Sequence, residues 1–348
     1  LWSKLRIISA TTVRSIATIA IVSFRLGGTD GVSAESAKWA RAFSGLGHDV
    51  ITVAGEGSAD RMVEGLATDA PEAPTRSEVD RALADADVAV IENLCSLPLN
   101  PAAAAVLADV LRGRPAVLRH HDLPWQRARF AQAPPPPDDP AWAHVTINRI
   151  SEAELADRGI KAITIYNAFA VDDAAGAPAE PLGDVDLPRP IVLQPTRAIA
   201  RKNVPAALRL AEALGGSYWI TGDAEDGYNL DAVLAGAEVP VLHRPVTDVA
   251  RAYATCDVVA FPSTFEGFGN PVVESAVYRR PLAVADYPVL RELASFGFRW
   301  FPVDQPDRLA EIGGGVLQHN FEIARRHFSL ADLPARLAGL FERQGWRL

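Results

Sequence analysis

Between Glu266 and Glu274 the chain reads Glu-Gly-Phe-Gly-Asn-Pro-Val-Val-Glu, two carboxylates flanking a glycine-rich turn. Gly267 and Gly269 let backbone N–H groups come close to a ligand. A helix pattern begins near Val272, and a helix N-terminus behind such a turn favours phosphate or an acidic hydroxyl partner. Each glutamate could then grip a pair of sugar hydroxyls. A second element, Arg197-Ala-Ile-Ala-Arg-Lys202, follows the strand-like run 191–194. Arginine grips phosphate through two parallel bonds, whereas lysine acts as a point charge. Cleaving a sugar–phosphate bond builds negative charge on a nucleoside diphosphate, and preplaced cations stabilise that charge without a metal.

Two further elements lie in the first half. Gly27, Gly28 and Gly31 join a first strand to a helical stretch over 32–46, and this turn with its helix N-terminus reads as a second anion cradle. It lacks the GxGxxG dinucleotide fingerprint, and no acidic residue closes the following strand. Arg119-His120-His121-Asp122 ends another buried strand, so one of the two histidines is expected to face a ligand. The sequence does not say which. Glu92 and Asn93 end a neighbouring strand and could hydrogen-bond acceptor hydroxyls. Five arginines (112, 114, 119, 127 and 129) stand against the single acid Asp122. Of these, Arg119, Arg127 and Arg129 are candidates for binding an acceptor that carries phosphate or carboxylate.

Short β-branched runs must position these residues: 16–24, 49–54, 87–91, 115–119, 143–147 and 161–165, then 191–194, 217–220, 239–242, 257–260, 281–284 and 299–301. Helical patterns over 32–46, 101–111 and 151–158 alternate with them. Repeated βα units of this kind argue for an α/β fold with parallel sheets, two doubly wound Rossmann-like domains around a central cleft. The expected division is an extension over 1–15, an acceptor-side domain over 16–167 and a linker over 168–189. A donor-side domain over 190–319 follows, then a helical segment over 320–348 that crosses back to the first domain.

Composition narrows the function. The 348 residues are 49% apolar with a net charge of −9, and neither half has the positive balance of a nucleic-acid binder. The longest mainly apolar run, Ile16 to Phe24, is too short for a bilayer span. Basic residues upstream give it a faint signal-peptide look, but a first strand is the better reading. Cys95 and Cys256 read as buried free thiols of a cytoplasmic protein. Asp85-Ala-Asp87 precedes its strand instead of following it, so no metal site is expected.

Taken together, these elements resemble the retaining nucleotide-sugar glycosyltransferases of family 4, also called group 1, with the GT-B fold. Glu-x7-Glu fits at Glu266 and Glu274, Arg-x4-Lys at Arg197 and Lys202, and the His-Asp pair at His121-Asp122. Thr164 to Phe169 is similar to the family's Asn-Gly turn, with Ala168 in place of glycine, and Asn270 stands where an apolar residue is usual. The resemblance implies that Glu274 holds the ribose and Glu266 the donor sugar. Phe268, Gly269 and Asn270 would position sugar and phosphate, while Arg197 and Lys202 neutralise the diphosphate. It further implies a hexosyl transfer from a UDP-glucose or GDP-mannose type of donor to a hydroxyl of a small acceptor, an anionic one being the candidate that the arginines suggest, with no cofactor. A sugar-nucleotide epimerase or hydrolase on the same fold, and a non-catalytic nucleotide-sugar-binding protein, are the alternatives. The polybasic surface helix of membrane-bound relatives is absent: the stretch 32–46 has only Lys38 and Arg41, opposed by Glu35.

Overall fold

The alternating pattern resolves into two all-parallel sheets in the computed structural model, which describes residues 16–28, 30–174 and 179–346. The 1–15 extension and part of the 168–189 linker lie outside the described residues. The first sheet contains β1 (Thr18–Leu26), β2 (Asp49–Gly57), β3 (Arg61–Met62), β4 (Val88–Glu92), β5 (Ala116–His120), β6 (Trp142–Thr146) and β7 (Ala162–Thr164), ordered 3-2-1-4-5-6-7. The second contains β8 (Ile191–Gln194), β9 (Ser217–Ile220), β10 (Val241–His243), β11 (Val258–Phe261), β12 (Leu282–Val284) and β13 (Phe301–Pro302), ordered 10-9-8-11-12-13.

In both sheets the order reverses beside the opening strand, at β1 and at β8. Such switch points open a crevice at the carboxyl ends of the strands. Parallel strands are covered on both faces, which explains why β4, β5 and β6 are buried at every position. On one face of the first sheet Trp39 and Phe43, from the helix Gly31–Gly45, pack with Leu337, Leu340 and Phe341 from the helix Leu333–Gln344. Phe341 stacks on Phe43 at 5.4 Å. The end of the chain thus completes a core that begins at Ala17. Burying each of these large side chains contributes about 1.5–3 kcal/mol.

The chain crosses between sheets at Phe169, whose N–H donates to Phe328 O (2.8 Å) and whose carbonyl accepts from Leu330 N (2.7 Å). Around this crossing Tyr166, Phe169, Phe268, Phe296 and Phe328 form edge-to-face and stacked contacts at 5.0–6.3 Å. Among the described residues no helix is long and apolar enough to cross a membrane. Cys95 and Cys256 are free and buried, and burial pushes both thiols up to about 12.

Candidate active site

The Glu266–Glu274 loop is built where the sequence places it. β11 ends at Phe261, and the helix Asn270–Val277 begins after Gly269, whose φ of +104° and contact with Tyr287 exclude a side chain. Lys202 and Glu266 are both buried, with Lys202 Nζ donating to Glu266 Oε1 at 2.5 Å. Arg201 holds the other carboxylate oxygen at 3.0 Å and donates to Phe265 O. Burial works to raise the Glu266 pKa, but the charges of Lys202 and Arg201 outweigh it and hold the carboxyl below the usual range. Arg197 turns to Glu225 at 2.5 Å, while its charge still acts on Lys202. Glu274 accepts from the Tyr253 hydroxyl (2.8 Å), and burial raises its pKa. Arg201, adjacent to Lys202, was legible as a third cation but went unassigned.

The two sheets meet on this loop. A Cβ at Gly267 would stand 2.2 Å from His121 O and 3.2 Å from Asp122 Oδ1, so the glycine admits the first sheet's β5 end. Asn148 donates from Nδ2 to Gly267 O (2.6 Å), and Asn167 donates to Asn270 Oδ1 (2.9 Å). Asn148 carries no sequence signal beyond its place after a strand, whereas Asn167 belongs to the segment similar to the family's Asn-Gly turn. Asn270, unusual for the resembled family, therefore has a partner of its own.

Both histidines are buried, His121 beside the Glu266–Glu274 loop and His120 deeper in the first domain. His121 Nε2 lies 2.6 Å from Glu92 Oε2, and His121 sits against Gly267 through its backbone. His120 is buried in a chain running from Ser96 Oγ (2.5 Å) through His120 to His144 (2.9 Å) and on to Asp138 (3.1 Å). Burial lowers the pKa of His120 well below the ordinary value, helped by His144 and His121, and lowers that of His144 despite Asp138. In the unfolded chain both imidazoles take protons first as pH falls. Their stabilising contribution is therefore complete above about pH 6.5 and lost progressively below it. Denaturation midpoints should accordingly drop between pH 7.5 and 5.5. Replacing His120 and His144 together by glutamine should flatten that slope, and an unchanged slope would contradict the assignment.

Three expectations require correction. Arg119 and Glu92 do not face the cleft. Arg119 has no exposed surface; it donates to Glu92 (3.1 Å), Glu35 (3.2 Å) and Asn167 (3.2 Å) and lies 4.3 Å over Trp39. Burial tends to raise the Glu92 pKa, but Arg119 and His121 overcome it and keep the carboxyl low. Asn93 is likewise structural: with φ at +59° it accepts from the N–H groups of His121 (3.1 Å) and Asp122 (3.4 Å). The glycine cradle is also occupied from within. Asp30 caps the helix Gly31–Gly45, accepting from Val32 N (3.0 Å), Ser33 N (3.1 Å) and Ser33 Oγ (2.7 Å). Gly27 and Gly28 are exposed beside it, and Gly31 opens the helix, but those first-turn donors are already taken. Arg127 pairs with Asp122 (2.7 Å) and spans the seam to lie 5.7 Å over Phe265, while exposed Arg129 stacks on Phe130. Lys38, which the sequence offers only as a charge of the stretch 32–46, bonds Glu35 and Ala168 O and acts by charge on Glu274.

Among the described residues no group of three or more metal-ligating side chains converges. Comparison with known proteins places this geometry. Residues 200–318 match the family model described as glycosyl transferases group 1. The chain is 25% identical to the mannosylglucosylglycerate synthase of Thermotoga maritima, over 90% of this chain and 97% of that one. It is also 25% identical to the synthase of the same name from Petrotoga mobilis, over 80% and 85%. In fold it is similar to Anabaena Alr3699/HepE solved with UDP-glucose, at a TM-score of 0.69 and 15% identity, over 94% of this chain and all of that one. Residues 200–318 are thus similar to the group 1 glycosyl transferases, and the chain as a whole has the GT-B fold.

Proposed function

We propose that the protein is a retaining hexosyltransferase that moves a hexose from a nucleoside-diphosphate sugar to a hydroxyl of a small, carboxylate-bearing acceptor without a metal ion. The observation that carries this reading is the Lys202–Glu266–Arg201 cluster, set in a glycine loop in contact with His121. In the reading, residues 16–167 receive the acceptor and 190–319 the donor, with 168–189 between them and 320–348 returning to the first domain. Arg197 and Lys202 neutralise the diphosphate as the bond from the anomeric carbon to the phosphate oxygen breaks. The acceptor oxygen forms its bond on the same face, and its proton passes to the departing phosphate oxygen. Glu266 grips the sugar and Glu274 the ribose, while Phe268, Gly269 and Asn270 lie along sugar and phosphate. Gly27, Gly28 and Gly31 border the diphosphate without supplying the amides that Asp30 occupies.

The names of the relatives refer to synthesis of a glycerate-containing sugar, which supports glucosylglycerate as acceptor here, with GDP-mannose or UDP-glucose as donor. Incubating each donor with glucosylglycerate, with and without EDTA, should yield a glycoside whose anomeric configuration by NMR matches the donor's. An inverted product overturns the retaining mechanism, and release of free hexose alone favours the hydrolase alternative. A nucleotide held at 100 times its Kd should also stabilise the fold by about 2.7 kcal/mol.

A further inference from the structure

Where the two sheets' helices meet, a groove of about 670 Å³ is walled by Arg149, Ile150 and Ala153 on one side and by Tyr287, Pro288 and Arg291 on the other. This volume lies within the range of small-molecule sites. Both walls follow the carboxyl ends of strands, since Arg149 comes shortly after β6 and Tyr287 shortly after β12. Two residues at the groove's edge are bonded to the Glu266–Glu274 loop. Asn148, the residue before Arg149, bonds Gly267 O, and Tyr287 donates its hydroxyl proton to Phe268 O at 3.2 Å.

The charges along the groove are unevenly used. Arg291 is paired with Asp286 at 2.6 Å. Glu292 crosses the seam and accepts from Arg149 N (2.9 Å), Ile150 N (3.4 Å) and the Tyr166 hydroxyl (2.6 Å). It thereby fills the N-terminus of the helix Arg149–Ala156 with a carboxylate of the protein's own. The Arg149 side chain is exposed, and among the described residues no carboxylate lies within ion-pair distance of it. The remaining cation of the groove is therefore this guanidinium, beside the apolar surfaces of Ile150, Ala153 and Pro288, which suit the C–H face of a sugar ring.

We propose that this groove is the acceptor subsite and that Arg149 binds the acceptor's carboxylate, with the far hydroxyl turned toward Asn148 and Tyr287, the two residues bonded to the donor loop. The inference rests on the glycosyl-transfer reading and moves the anion site from Arg127 and Arg129 to Arg149. A charge-assisted, bidentate arginine–carboxylate pair needs an uncommitted guanidinium beside the ligand's other surfaces: Arg127 is held by Asp122, and Arg129 does not line the groove, whereas Arg149 does.

The test uses the full chain loaded with UDP or GDP and measures binding of glucosylglycerate, and of uncharged glucosylglycerol, by calorimetry. Arg149→Gln should weaken glucosylglycerate about 10-fold or more and collapse its preference over glucosylglycerol toward one, with nucleotide Kd unchanged. Ala153→Trp, which fills the groove, should weaken both ligands. The proposal is overturned if wild-type protein does not bind glucosylglycerate, if Arg149→Gln binds it normally, or if Arg127→Gln or Arg129→Gln carries the loss instead. Because binding is read without turnover, absence of transfer with every donor would sink the functional reading while leaving the groove to be judged on its own.

Discussion

Lys202→Met is expected to lower kcat/KM by about 10²- to 10³-fold, the range seen when one preplaced charge or donor is removed from a developing anion. The loss should appear in kcat at saturating donor, because the lysine's stabilisation grows as the phosphate leaves. A second effect follows from burial. Lys202 and Glu266 are each 8% exposed, so removing the ammonium leaves the glutamate with Arg201 alone. The carboxyl, held low by both cations, should then titrate at higher pH, moving the acid limb of the rate profile upward. Steady-state kinetics across pH 5–8 would show both changes. A variant with wild-type kcat/KM would remove Lys202 from the proposed chemistry.

Arg119→Met should be among the most destabilising single changes in the first domain, by about 3–5 kcal/mol, because it removes the guanidinium shared by two buried carboxylates and leaves Glu35 with Lys38 and Glu92 with His121. Glu35 and Glu92 are 1% and 0% exposed, so neither recovers its charge in water once the guanidinium is gone. The same reasoning predicts a rescue. Glu35→Gln and Glu92→Gln, added to Arg119→Met, should restore part of the loss, since the cost lies in buried carboxylates left short of positive charge and not in the missing arginine. Urea denaturation followed by circular dichroism measures both. If Arg119→Met unfolds at the wild-type midpoint, the buried cluster is not the support described.

The contrast between Lys202 and Arg119 shows what the sequence encoded. β8 and β9 lie at 191–194 and 217–220, as their β-branched and aromatic runs imply, and the other strands of four or more residues fall within about three positions of the expected ends. The two-residue β3 was not legible, since its pairing with β2 is decided by tertiary packing. Lys202 and Glu266 could be matched because each sits in a compact local pattern. Arg119 was misjudged because five arginines close in sequence are not close in space. It occupies a strand buried at every position, where a charge must be paired internally. Asn148, Asn167 and Glu292 form their cross-domain bonds with partners 103 to 143 positions away. Single polar residues carry no periodic signal over such separations.

The helix Leu333–Gln344, packed against Trp39 and Phe43, has a consequence for how the protein is made. The first sheet is fully synthesised by Ile165, yet the apolar side chains that seal one of its faces begin at Leu333. At about 5–20 residues per second a ribosome needs roughly 8–34 s to cover that interval. Throughout it, the face around Trp39 stays uncovered while the second domain is still emerging. The nascent chain thus has a built-in period of exposure during which a chaperone can bind, and it ends only when the closing helix leaves the exit tunnel.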